Sequence, residues 1–142
     1  MTRIETVLGP ISPEQLGITL LHEHVLYDLA TELSKKPWFQ PSKWPSSKLK
    51  YLDVPVTMEI LGAIKRGNIF VKDNYFLFDE MIAKEELMEF TKWGGKSLVE
   101  QSLPGTGRDV EGLKRIANMT GLNIITVTGF YNHWSHPSFI KE

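Results

Sequence analysis

Apolar and polar positions alternate over residues 3–8, Arg-Ile-Glu-Thr-Val-Leu, the period-2 pattern of a short strand. Gly9-Pro10 breaks it. Ser12-Pro13-Glu14-Gln15 has the chemistry of a capped turn: serine offers an oxygen and proline fits a first helical turn. Gly17 closes that element. From Ile18 to Val25 apolar residues fall on both faces, which predicts a strand buried on both sides. Residues 28–57 are punctuated by Pro37, Pro41, Pro45 and Pro55, with Trp38, Phe39 and Trp44 between them. This stretch starts a long excursion, taken as 28–78. Its aromatic content predicts that it packs rather than hangs free, since loops of this length are usually functional or disordered. A short helix is expected over 57–66, and residues 69–78 read equally as strand or packed loop.

The pattern clears after Asp79. Asp79 can cap a helix running to Trp93, with Glu80 in its first turn. Ala83, Leu87 and Phe90 fall on one face, and Gly94-Gly95 can end the helix. A strand is expected over Ser97–Gln101 and a loop over Pro104–Gly107. A helix then runs from about Asp109 to Thr120, with Val110, Leu113 and Ala117 on one side, and Gly121 ends it. Another strand spans Asn123–Thr128. A strand–helix–strand unit of this size predicts two parallel strands joined by a right-handed crossover, hence α/β architecture.

Composition narrows the function classes. The 142 residues are enough for one hydrophobic core, with 42% apolar and 23% charged positions. A net charge of −1 gives no field to attract nucleic acid or an anionic membrane surface. No apolar run approaches the roughly 20 residues that span a bilayer, and Met1 to Pro10 lacks the plan of a secretory signal. No nucleic-acid or membrane partner is expected, and a cytoplasmic location is. Cysteine is absent, so a metal site would have to use histidine and carboxylate ligands.

His22 and His24 are the first candidates for chemistry. Residues i and i+2 of a strand point to the same face, so both imidazoles should project together, alongside Ile18 and Leu20. Two neutral imidazoles can share a divalent ion, although zinc takes roughly four ligands. Spacing alone leaves two readings: half of a metal site, or two histidines satisfied by hydrogen bonds. Gly105-Thr106-Gly107-Arg108-Asp109 lies between a strand and a helix, where phosphate can bind. The third position of a dinucleotide fingerprint is Val110, however, and the Gly-Lys-Ser/Thr of a P-loop is missing. A tight turn is favoured there, with Asp109 capping the helix and Arg108 paired locally. Tyr131, Trp134 and His136 follow a parallel strand and could line a pocket at its carboxyl end. A packed aromatic loop is the other reading. Glu100, at a strand end, reads either as a carboxylate supporting a site or as a charge facing solvent.

Several of these segments together resemble the phosphotriesterase family of the amidohydrolase superfamily, which includes phosphotriesterase-related proteins and lactonases. The matching pieces are Thr6-Val7-Leu8-Gly9, Leu16-Gly17, Thr19 to His24, Gly95 to Glu100, Gly107-Arg108-Asp109, Thr120 to Ile124 and Thr128-Gly129-Phe130-Tyr131. The match is weak across residues 30–78. The resemblance implies an α/β fold, the N-terminal part (about strands 1–3) of a TIM (β/α)8 barrel, preceded by a short β-hairpin. The whole chain would be a single partial domain. It implies two divalent ions, usually zinc, with His22 and His24 as ligands of the more buried one. It places Tyr131 at the pocket rim; Tyr131, with Trp134 from the reading of the loop, is the expected substrate-binding pair. The implied activity is hydrolysis of ester, lactone, amide or phosphotriester bonds of a small molecule through a metal-bridging hydroxide.

Such a barrel takes about 250 residues or more. The family's remaining ligands and its catalytic aspartate would fall past Glu142, and His133 and His136 do not match them. No catalytic residue is assigned. The expectation is a truncated member, inactive alone, whose open strand edges favour self-association as a homodimer. A non-catalytic binding or regulatory fragment is the alternative, and a nucleotide-binding α/β domain a more distant one.

Overall fold

The first dozen residues fold back on themselves. In the computed structural model, which describes residues 2–131, 133, 136, 139 and 140, β1 (Ile4–Thr6) pairs antiparallel with β2 (Gly9–Ile11). Gly9-Pro10 therefore opens a second strand instead of only ending the first. Proline is tolerated because a two-stranded ribbon leaves its missing N–H on a free edge. Gly9 takes φ 117°, and Thr6 Oγ1 donates to Gly9 O at 2.6 Å while accepting Leu8 N at 3.2 Å. Ser12 N donates to Gln15 Oε1 at 2.8 Å and closes a 3-10 turn over Pro13–Gln15. β3 (Ile18–Glu23) follows.

The described residues form two compact units, 28–77 and the remainder. In the first, β4 (Tyr27–Asp28) and β5 (Phe76–Leu77) pair with each other. Asp28 Oδ1 accepts Thr31 N at 2.8 Å and caps α1 (Leu29–Ser34), whose Leu29, Ala30 and Leu33 are buried. The prolines mark boundaries: Pro41 begins a 3-10 turn and Pro45 precedes α2 (Ser46–Leu49). α3 (Met58–Lys65) occupies the stretch expected to be helical. The aromatics do pack. Phe39 meets Trp44 and Phe70 edge-on, with centroids 5.2 and 5.1 Å apart, and Phe70 stacks on Tyr75 at 4.8 Å.

The second unit holds the parallel sheet. Asp79 Oδ1 accepts Met81 N (2.8 Å) and Ile82 N (3.1 Å) at the start of α4 (Glu80–Lys92). Gly94, at φ 91°, turns the chain into β6 (Gly95–Glu100). Asp109 Oδ1 accepts Gly112 N (3.0 Å) and caps α5 (Val110–Thr120), which Gly121 ends at φ 72° before β7 (Asn123–Thr126). The strand order is β3-β6-β7, all parallel. Leu98, Ile124, Leu113, Ile116, Ala117, Leu122, Val25 and Leu26 form the core, with Leu20, Ala83, Leu87 and Phe90 packed against it. On α5 the inward stripe is Leu113, Ile116 and Ala117, while Val110 is only half-buried. Val7 N donates to Ile124 O at 2.9 Å, so the hairpin partners the outer strand.

β3 departs from the expectation of burial on both sides. It is an edge strand of this sheet, with Ile18 60% and Leu21 72% exposed. Among the described residues, β6 alone flanks it, and its Leu20 side alone meets the core. Among the described residues no helix is long and apolar enough to cross a membrane.

Candidate metal centre

The imidazole pair sits where β3 runs out. His22 is the next-to-last residue of the strand and His24 the first beyond it. Their rings lie edge to face with centroids 5.6 Å apart, and His24 also lies 5.0 Å from the Tyr27 ring. The two side chains do come together, but not beside Leu20. Leu20 pairs with Leu98 and Glu23 with Glu100, so three steps of β3 oppose two of β6. Such a bulge reverses the alternation. Glu23 takes the Leu20 side, and both imidazoles take the opposite one. Partial desolvation, and then the neighbouring His22, hold the His24 imidazole below the ordinary histidine pKa, with Glu23 opposing them. The neutral ring is the form that ligates metal.

Glu100 is the unexpected member. It is fully buried, at 0% exposure, which rules out a strand end facing solvent. One carboxylate oxygen accepts Val25 N at 3.3 Å and the other accepts Ser102 N at 3.0 Å. Burial pushes its carboxyl above the usual glutamate value. The Ser102 hydroxyl, the Ser102 and Val25 N–H groups and the Arg108 guanidinium pull it back down. Ser102, also buried, places its Oγ 3.1 Å from His24 Nδ1. Sequence reasoning missed Ser102, which lies 78 positions from His24; its position two residues past a candidate carboxylate was the one available hint.

The glycine-containing loop behaves as a turn. Thr106 Oγ1 accepts Leu103 N at 2.8 Å, Gly107 takes φ 84° and Asp109 caps α5. Arg108 reaches further than a local pairing, donating from Nη1 to Val127 O at 2.9 Å past the end of β7. Tyr131 stands 62% exposed beyond β7, and Trp134 lies outside the described residues. Among the described residues no group of three or more His, Cys, Asp or Glu side chains could hold a metal ion. The imidazole pair fits a divalent ion in kind and supplies half of the usual ligand number.

Comparison with known proteins decides the family: the phosphotriesterase family profile matches residues 2–141. The chain belongs to the phosphotriesterase family. N-acetyltaurine hydrolase of Xenopus tropicalis is 39% identical over 99% of the chain and 38% of its own length. Phosphotriesterase-related protein of Drosophila persimilis is 35% identical over 100% of the chain and 40% of its own. Among solved structures, a resiniferatoxin-binding protein from Rhodobacter sphaeroides superposes with a TM-score of 0.78 at 33% identity, covering 96% of the chain and 36% of that protein. A lactonase from Listeria monocytogenes, at 24% identity and a TM-score of 0.54 over 88% of the chain and 27% of its own, shares the fold. The chain thus spans about two fifths of the length of the curated phosphotriesterase-family relatives named here.

Proposed function

We propose that the chain supplies the first three strands of a (β/α)8 barrel and the first two ligands, His22 and His24, of a binuclear metal site in a hydrolase. The observation that carries this is the imidazole pair, 5.6 Å apart at the carboxyl end of a parallel strand, in a phosphotriesterase-family chain. Ligands gather at that end of such sheets. When bound, divalent ions such as zinc supply Lewis acidity toward the scissile centre and a water of lowered pKa. The chain's own residues present two imidazoles on one face, favour the neutral form of His24 and fix its ring through Ser102. The other ligands come from residues other than the described ones, where no third donor joins the pair.

The bond cleaved is, in this proposal, the amide of a small N-acyl compound. Relatives 39% and 34% identical over 99% of the chain are named N-acetyltaurine hydrolases. The lactonase and organophosphorus hydrolase structures are 21–24% identical and support the fold alone. Relatives named as hydrolases also weigh against a purely binding module. A chimera tests the proposal: residues 1–142 replace the matching segment of the Xenopus tropicalis N-acetyltaurine hydrolase. It should hydrolyse N-acetyltaurine, lose activity to a chelator, and lose at least about a hundredfold in kcat/KM with His22→Ala or His24→Ala. A folded, inactive chimera, or one indifferent to both histidines, would refute it.

A further inference from the structure

Glu100 is tied into the candidate metal centre through two backbone N–H groups. It is buried, and each of its oxygens holds a different backbone N–H. One belongs to Val25, the residue after His24. The other belongs to Ser102, whose Oγ lies 3.1 Å from His24 Nδ1. The carboxylate therefore ties together, across 75 positions of sequence, the backbone that carries the imidazole and the backbone that carries its hydrogen-bond partner. With Nδ1 held by the Ser102 hydroxyl, Nε2 is the ring nitrogen left to face a metal, a role that requires the proton on Nδ1.

We infer that Glu100 is a positioning residue: through Val25 and Ser102 it sets the orientation and tautomer in which His24 offers Nε2 to a metal. The inference rests on the proposed role of His24 as a ligand, and it extends inward to a buried Glu100–Ser102–His24 chain. Partners of this kind fix ring orientation and raise ligand basicity, and their loss typically lowers metal affinity about 10–100-fold.

The test uses the full 142-residue chain with two readouts: two-bond nitrogen–proton correlation spectra of the imidazoles without metal, and a zinc titration. In the unsubstituted protein His24 should show a protonated Nδ1 and a bare Nε2. Glu100→Gln offers one oxygen where two N–H groups need acceptors, and turns its NH2 toward the other donor. It should mix the His24 tautomers and weaken zinc binding about 10–100-fold. Glu100→Asp keeps the charge on a shorter arm and should recover part of both effects. A folded Glu100→Gln protein with the original His24 spectrum and zinc affinity overturns the inference. Should that variant fail to fold, Ser102→Ala decides: it leaves the Val25 clamp in place, should abolish the Nδ1–H preference, and overturns the inference if His24 is unchanged. Zinc binding that persists without His22 and His24 would sink the proposed function instead, while the metal-free spectra would still decide the clamp.

Discussion

At the scale of single residues, close packing around Leu26, two positions past His24, outweighs ordinary helix propensity. Gly112 is an example. Alanine in a helix interior normally gains about 1 kcal/mol over glycine, so Gly112→Ala in α5 would be expected to stabilise. A Cβ there, however, would meet Leu26 Cδ1 at 2.6 Å and Asp109 Oδ2 at 2.7 Å. Leu26 is 1% exposed and has nowhere to move, and Asp109 is the cap of α5. Gly112→Ala should therefore destabilise the protein by about 1–3 kcal/mol, read from urea denaturation, with the sign opposite to helix propensity. Leu26 follows His24 by two positions, so the same variant should also disturb the His24 ring spectrum. Sequence spacing correctly brought His22 and His24 together, because i and i+2 lie within one strand end. It placed them on the Leu20 side, because the bulge exists only in the pairing of β3 with β6. Glu100 was visible as a carboxylate at a strand end, but its burial and its hold on the Val25 N–H, 75 positions away, exist only in the folded chain.

At the scale of elements, legibility followed locality. α4 and α5 could be read because their stop and start signals are their own residues: Asp79 and Asp109 accept N–H groups of the first turn, and Gly94 and Gly121 supply positive φ at the ends. The excursion was hard to read because its order comes from aromatic contacts between distant positions such as Phe39 and Phe70. The tie between α4 and α5 was invisible for the same reason. Arg115 donates from Nε and Nη2 to the Glu80 carboxylate at 2.6–3.1 Å, 35 positions away. The Arg115 hydrogen bond holds the Glu80 carboxyl below the usual glutamate value. A depressed carboxyl pKa contributes stability above the unfolded value, which is lost as pH falls through the folded one. Arg115→Ala should therefore be less stable than the unsubstituted protein at neutral pH, by a margin that shrinks as pH drops below about 4.5 and as salt is added. Thermal melts at pH 7 and pH 3 check it; a margin constant across that range would refute the tie.

At the scale of the whole molecule, the open side of β3 is the dominant feature. Among the described residues, Ile18 and Leu21 are exposed on a strand paired with β6 along one edge only. Unpaired edges with exposed apolar residues invite association, so the protein should sediment with a concentration-dependent mass, and Leu21→Lys should reduce that dependence. A monomer at all concentrations would contradict it. The strand–helix–strand order of β6, α5 and β7 was fully legible because the apolar runs and glycine stops recur in sequence. How β3 joins that pair was legible only through the family resemblance, since nothing local to β3 names its neighbour.

The most direct test of the metal-centre proposal is calorimetric titration of the purified chain with zinc, beside a chain carrying both His22→Ala and His24→Ala. Saturable binding near one zinc per chain, lost in the double variant, is the expected result. The same zinc affinity and stoichiometry in both proteins would contradict it.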